Sequence, residues 1–143
     1  MQLSEHFSLE EFTYSDTAKR KNIDNTPPSH VLPILANTAH NLEAVRELLG
    51  HPIKVNSAYR CGALNAFLGS KPTSQHIFGN AVDFVCPEFG TPRQIVEAIK
   101  ASNIKYDQLI WEFNSWVHIS FSNVGQNRMS VLTIDSQGTR SFT

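Results

Sequence analysis

From Ser29 onward the apolar residues Leu32, Leu35, Leu42, Val45 and Leu49 recur at helical spacing, and Gly50 is the stop. This is the longest helix in the chain, and Pro33 falls in its first turn if Ser29 caps it, where a missing backbone N–H costs little. The segments after it read differently. Ile53-Lys54-Val55-Asn56-Ser57 alternates like a half-buried strand and runs into Tyr59-Arg60; residues 63–68 form a short helix closed by Gly69, and 69–75 are loop. Ala81 to Cys86 reads as a strand, and Thr91-Pro92-Arg93-Gln94 caps a helix through Ile95, Val96 and Ile99. Residues 107–121 divide at Asn114-Ser115 into two β-rich runs, a hairpin, and Met129 to Ile134 adds a strand. Before the long helix, Ser8-Leu9-Glu10-Glu11 is a capping-box pattern that starts a short helix with Phe12 inward, and residues 14–28 are a polar surface connection. One long helix, short helices and a late hairpin predict an α+β domain, an antiparallel sheet packed against helices.

Composition narrows the function. A chain of 143 residues, 41% apolar, is an ordinary globular length and makeup for one domain, residues 1–143. Net charge is −1 and the longest basic run is Lys19-Arg20-Lys21, so no basic stripe offers itself to nucleic acid. No apolar run is long enough to span a bilayer, and Met1-Gln2-Leu3-Ser4-Glu5-His6 lacks the charged and apolar regions of a signal peptide. The expectation is a monomer synthesised in the cytoplasm; a substrate outside the membrane then requires delivery or a breached barrier. Cys61 and Cys86 lack CxxC spacing and read as small buried residues rather than a disulfide, a zinc thiolate role being the sharper alternative.

Six histidines occur. His6, His30, His40 and His51 read as surface or satisfied core residues, whereas His76 and His118 lie beside strand and turn elements with carboxylates near in sequence. In Ser74-Gln75-His76-Ile77-Phe78-Gly79-Asn80-Ala81-Val82-Asp83, the histidine and aspartate are seven apart. On a straight helix that is about 10 Å of rise, too far for two ligands that each bind zinc at about 2 Å. The two can share a metal only if the chain folds back between them, and Gly79 is the residue best able to allow it. The third member, His118, stands in the apolar strand Trp116-Val117-His118-Ile119-Ser120. Two histidines and a carboxylate leave a fourth position open, as catalytic zinc requires, and such a site needs a base. Glu112, in Leu109-Ile110-Trp111-Glu112-Phe113, is the candidate; a solvent-facing strand residue is the alternative. A two-residue turn at 114–115 puts Glu112 opposite Val117 and away from His118, whereas a three-residue loop or a bulge brings it opposite His118. Asp107, at a strand start, and Asp135, in the tail, are less well placed.

The segments Ser57-Ala58-Tyr59-Arg60, Ser74 to Asp83 and Trp116-Val117-His118-Ile119, in that order, resemble the zinc D-Ala-D-Ala carboxypeptidase family. That group includes phage L-alanyl-D-glutamate endolysins and shares its fold with Hedgehog signalling domains. Phe7-Ser8-Leu9-Glu10-Glu11-Phe12 and Asn25-Thr26-Pro27 resemble its phage and prophage branch. The resemblance implies one zinc per chain on His76, Asp83 and His118, Glu112 as general base, and Arg60 holding a substrate carboxylate or polarising its carbonyl. It also implies Ser74 and Gln75 at the rim, with Ser74 on Asp83 or substrate, and Tyr59 contacting substrate or simply packing. Many relatives carry the acidic base three residues before the last histidine, and here that position is Ser115. The function implied is a peptidase acting on peptidoglycan stem peptides. The rivals are a zinc-containing structural or wall-binding module of a phage particle without turnover, and a metal-free domain.

Overall fold

The computed structural model describes residues 1–143. The periodic run after Pro28 forms a 3₁₀ turn, Ser29–Val31, that leads into α3, Leu32–Leu49. Ser29 therefore does not cap α3; Val31 occupies that position, with Pro33 in the first turn. Leu35, Thr38, Ala39, Leu42, Val45 and Leu49 make the buried stripe, and Gly50 ends the helix at φ 70°. Upstream lie α1, Leu9–Thr13, and α2, Asp16–Arg20. Ser8 accepts from Glu11 N at the start of α1 and Phe12 is fully buried, as the capping pattern requires. The connection 14–28 is not all loop: Ser15 accepts from Ala18 N and starts α2, which buries Ala18.

Six strands follow the order β1-β2-β4-β3-β5-β6. They are β1 Lys54–Ser57, β2 Ala81–Val85, β3 Gln108–Glu112, β4 Trp116–Ser120, β5 Ser130–Asp135 and β6 Gly138–Ser141. All neighbours are antiparallel except β3 and β5, which are parallel, so the sheet is mixed at that one seam. β6, all of it exposed, has no apolar pattern to announce it. Between β1 and β2 lie α4, Gly62–Phe67, and a four-residue α5, Gln75–Phe78, so that Gln75, the last residue of the expected loop, instead opens a helix; α6, Pro92–Lys100, carries the full Thr91–Gln94 capping box.

Alternation along the strands sorts residues to two faces. Val82, Phe84, Leu109, Val117 and Ile119 join Leu35, Leu42, Val45, Ile95 and Ile99 in one core between the sheet and helices α3 and α6. Asp83, Ile110, Glu112, Trp116 and His118 occupy the intervening positions and face the other way. The register shift between Val55 and Ser57 in β1 brings Ser57 opposite Asp83 on this second face. No helix is long and apolar enough to cross a membrane.

Candidate metal centre

Strands β2 and β4 pair with Asp83 directly across from His118. Such cross-strand neighbours have Cβ atoms about 4.5–5.5 Å apart, so short polar side chains meet. Here His118 Nδ1 lies 3.0 Å from Asp83 Oδ1. His76 comes from α5, and the chain reverses after it as the spacing demanded: Gly79 stands at φ 86°. The reversal brings His76 Nε2 to 3.3 Å from Asp83 Oδ2, and the two imidazoles meet edge to face with centroids 5.2 Å apart. One donor atom from each of His76, Asp83 and His118 lies within 4.8 Å of the others, and all three residues are buried.

The chemistry of this donor set fits a cation. Ala58 O, which can only accept, is 2.6 Å from His76 Nδ1, so Nδ1 carries a proton and a neutral ring presents a lone pair at Nε2. That lone pair faces a carboxylate oxygen at 3.3 Å, an arrangement that needs a proton or a cation between the two acceptors. Donors around one tetrahedral zinc at about 2.0–2.1 Å are themselves about 3.3 Å apart. Burial alone raises the Asp83 carboxyl, but positive charge on the histidine side of it, that of His76 foremost, outweighs burial and holds the group below the ordinary aspartate range, the same preference for a cation in this gap. An ionised carboxylate and an imidazole oriented by a backbone carbonyl are what a metal site requires.

Arg60 follows the end of β1, and its backbone N–H donates to His76 O. Its guanidinium donates to Ser57 Oγ and Ser70 Oγ, both at 3.2 Å, and to Asp83 Oδ2 at 3.3 Å. Glu112 reaches the same face because the hairpin loop is odd. Ser115 N donates to Glu112 O at 2.9 Å, and Phe113 and Asn114 between them both have positive φ, as in a type I′ turn. The loop is Phe113-Asn114-Ser115, one residue earlier than the arrangement that sets Glu112 opposite His118. Glu112 instead pairs with Trp116, diagonal to His118, and Oε1 lies 3.7 Å from His118 Nδ1. Burial, then the Asp83 charge, raises the Glu112 carboxyl above its ordinary value.

Residues 5–120 match the family described as Peptidase M15, a span that contains Arg60, His76, Asp83, Glu112 and His118. The chain belongs to the Peptidase M15 family. Membership indicates a metallopeptidase, and no curated protein matches the chain. The Peptidase M15 match stops at the last residue of β4, so β5 and β6 lie beyond it.

Other residues singled out in the sequence stand differently. Ser74 Oγ accepts from His76 N at 3.3 Å and so starts α5; its hydrogen bond is not to Asp83. Gln75 turns its amide to Asp107, Nε2 donating to Oδ2 at 2.8 Å. Tyr59 is packed in the core at 5% exposure. Cys86 is buried, whereas Cys61 is half-buried and caps α4, its Sγ accepting from Leu64 N. Neither cysteine joins the site, nor do His6, paired with Glu43, and His51, beside Glu88. Two residues of this Peptidase M15 chain had gone unassigned. Asn25 donates to Thr13 O and Tyr59 O and accepts from Cys61 N, clamping the backbone on both sides of Arg60; the Asn-Thr-Pro motif was its only signal. Asp107 is buried and binds Arg128 through both carboxylate oxygens.

Proposed function

We propose that this chain is a zinc peptidase that hydrolyses a peptide bond in peptidoglycan stem peptides, of D-Ala-D-Ala carboxypeptidase or L-alanyl-D-glutamate endopeptidase type. The observation that carries the reading is the convergence of His76, Asp83 and His118 on one buried point with Glu112 beside it. His76 Nε2, Asp83 and His118 Nδ1 would hold the ion, one per chain. When bound there, zinc supplies Lewis-acid polarisation of the scissile carbonyl and of water.

The chain's own groups do the rest. Glu112 accepts the proton of the attacking water and returns it to the leaving amine; its raised pKa suits a group that must both take and give a proton. Arg60 offers paired N–H donors on a planar guanidinium, the geometry that binds a substrate carboxylate or a developing oxyanion. Ser57 and Ser70 hold that guanidinium in place. Glu112 thus takes the part that an acid at position 115 would play, while Ser115 itself is exposed and donates to Phe113 O.

Ser115 also favours a second reading, a zinc-containing module of a phage particle without turnover. Purified peptidoglycan or defined muropeptides incubated with the zinc-loaded protein separate the two. Mass spectrometry of the products should reveal a lost D-alanine or a severed stem peptide, which also names the bond. Intact muropeptides at full zinc occupancy would favour the module.

A further inference from the structure

A helix of four residues has no independent stability, so the place of His76 depends on what grips α5 from outside. The grip is polar and lies on several sides. Thr38 Oγ1 donates to Gly79 O at 2.6 Å, and Asn80 Nδ2 donates to Phe121 O and Asn123 Oδ1. At the first residue of α5, Gln75 Nε2 donates to Asp107 Oδ2 at 2.8 Å. Asp107 is itself fixed: its N–H donates to Ser120 O, and its Oδ1 accepts from Arg128 N and Nε, each at 2.9 Å. Its side chain is 8% exposed against 60% for Arg128, so the carboxylate sits inside and the guanidinium lids it from the solvent side. Ser120 belongs to β4, two residues after His118 and on the same face. Gln75 and Asp107 therefore form a bridge from the helix that carries one histidine to the strand that carries the other.

We propose that Gln75 and Asp107 are positioning residues of the metal centre, the Gln75–Asp107 hydrogen bond fixing α5, and with it His76, against β4. The proposal rests on the metal-site reading above. It gives Gln75 a task other than substrate contact, since its amide N–H is already turned inward to Asp107. Loss of a group hydrogen-bonded directly to a metal ligand typically costs about 10–100-fold in metal affinity, and Gln75 and Asp107 act one step further out, through the backbone of α5, so the lower end of that range is expected.

Zinc dissociation constants, measured by competition with a chromophoric chelator on the full chain, test it. Gln75→Met keeps the side-chain length and removes the donor; it should weaken zinc binding by about tenfold or more. Ile99→Val trims a fully buried core side chain of α6 that has no part in the Gln75–Asp107 network; it should lower stability while zinc affinity stays within about threefold of the parent. Asp107→Ala should weaken zinc binding as Gln75→Met does. Asp107→Asn should rescue it, because the Gln75 amide can rotate to accept from the new Nδ2–H. The proposal is overturned if Gln75→Met binds zinc like the parent, or if Ile99→Val weakens zinc as much as Gln75→Met does, which marks a merely structural effect. A parent that takes up no zinc overturns the metal-site reading itself, a separate outcome from a parent that binds and a Gln75→Met variant that binds equally.

Discussion

Replacing Gly79 with alanine probes the reversal that lets His76 and Asp83 meet. At φ 86° an L-residue is strained, at a cost of about 1–2 kcal/mol. The added Cβ would also lie 3.1 Å from Val31 Cγ1, 3.3 Å from Leu35 Cδ2 and 3.4 Å from Ile34 Cγ2. Those atoms belong to the 3₁₀ turn and the start of α3; Val31 and Leu35 are core residues with little room to retreat, and overpacking of this kind costs about 1–3 kcal/mol. Alanine returns about 0.4–1 kcal/mol by restricting the unfolded chain. The net expectation is a loss of about 2–4 kcal/mol, or about 1–2 M in the urea midpoint for a protein of this size. Urea titrations of metal-free parent and Gly79→Ala, followed by far-UV circular dichroism, measure it. A shift equivalent to less than about 0.5 kcal/mol would refute the claim that this turn is sterically committed.

Three further outcomes follow from the same geometry. Glu112→Gln should retain zinc and lose about 10²–10⁴-fold in turnover, since the amide keeps the shape but cannot accept a proton; full activity at full zinc content would remove Glu112 from the mechanism. Arg60→Lys keeps the charge and loses the paired donors, so kcat/KM should fall by about 10–100-fold with the fold intact, and an unchanged value would discount the guanidinium geometry. The Arg128 hydrogen bond, chiefly, holds the Asp107 carboxyl below its ordinary 3.8, so the unfolded chain binds that proton more readily. The stability this group adds is complete above 3.8 and is lost as pH falls through the lower folded value; the difference in urea stability between parent and Asp107→Asn should shrink below about pH 4, and a difference constant from pH 6 to 2 would contradict the assignment.

Much of the site was legible because its geometry is local. Asp83 lies seven positions after His76, and only a reversal permits convergence, which made Gly79 the expected hinge. The parity of the hairpin loop likewise decided which face Glu112 takes, although the loop's start at Phe113 lay one residue earlier than a turn centred on Asn114-Ser115 implies. What escaped was short or distant. Helices α2 and α5 span five and four residues, too few to show a period, and each rests on a serine cap. β6 reads Gly-Thr-Arg-Ser and buries nothing, so only its pairing with β5 defines it. Asp107 was a poor candidate base at its strand start, and its partners, Gln75 and Arg128, are 32 and 21 residues away, too far along the chain for the sequence to join them. An aspartate heading an apolar strand was the sole hint that it had buried partners. Tyr59 drew notice through its place in a motif, yet its side chain completes the core while its backbone meets Asn25 and Phe12.

The most direct measurement titrates zinc into metal-free protein and follows hydrolysis of stem peptides at each step. The rate should rise in proportion to added zinc and level off at one equivalent per chain, and Asp83→Ala should show no such rise. Undiminished hydrolysis by the metal-free protein, or none with one zinc bound, would contradict the account.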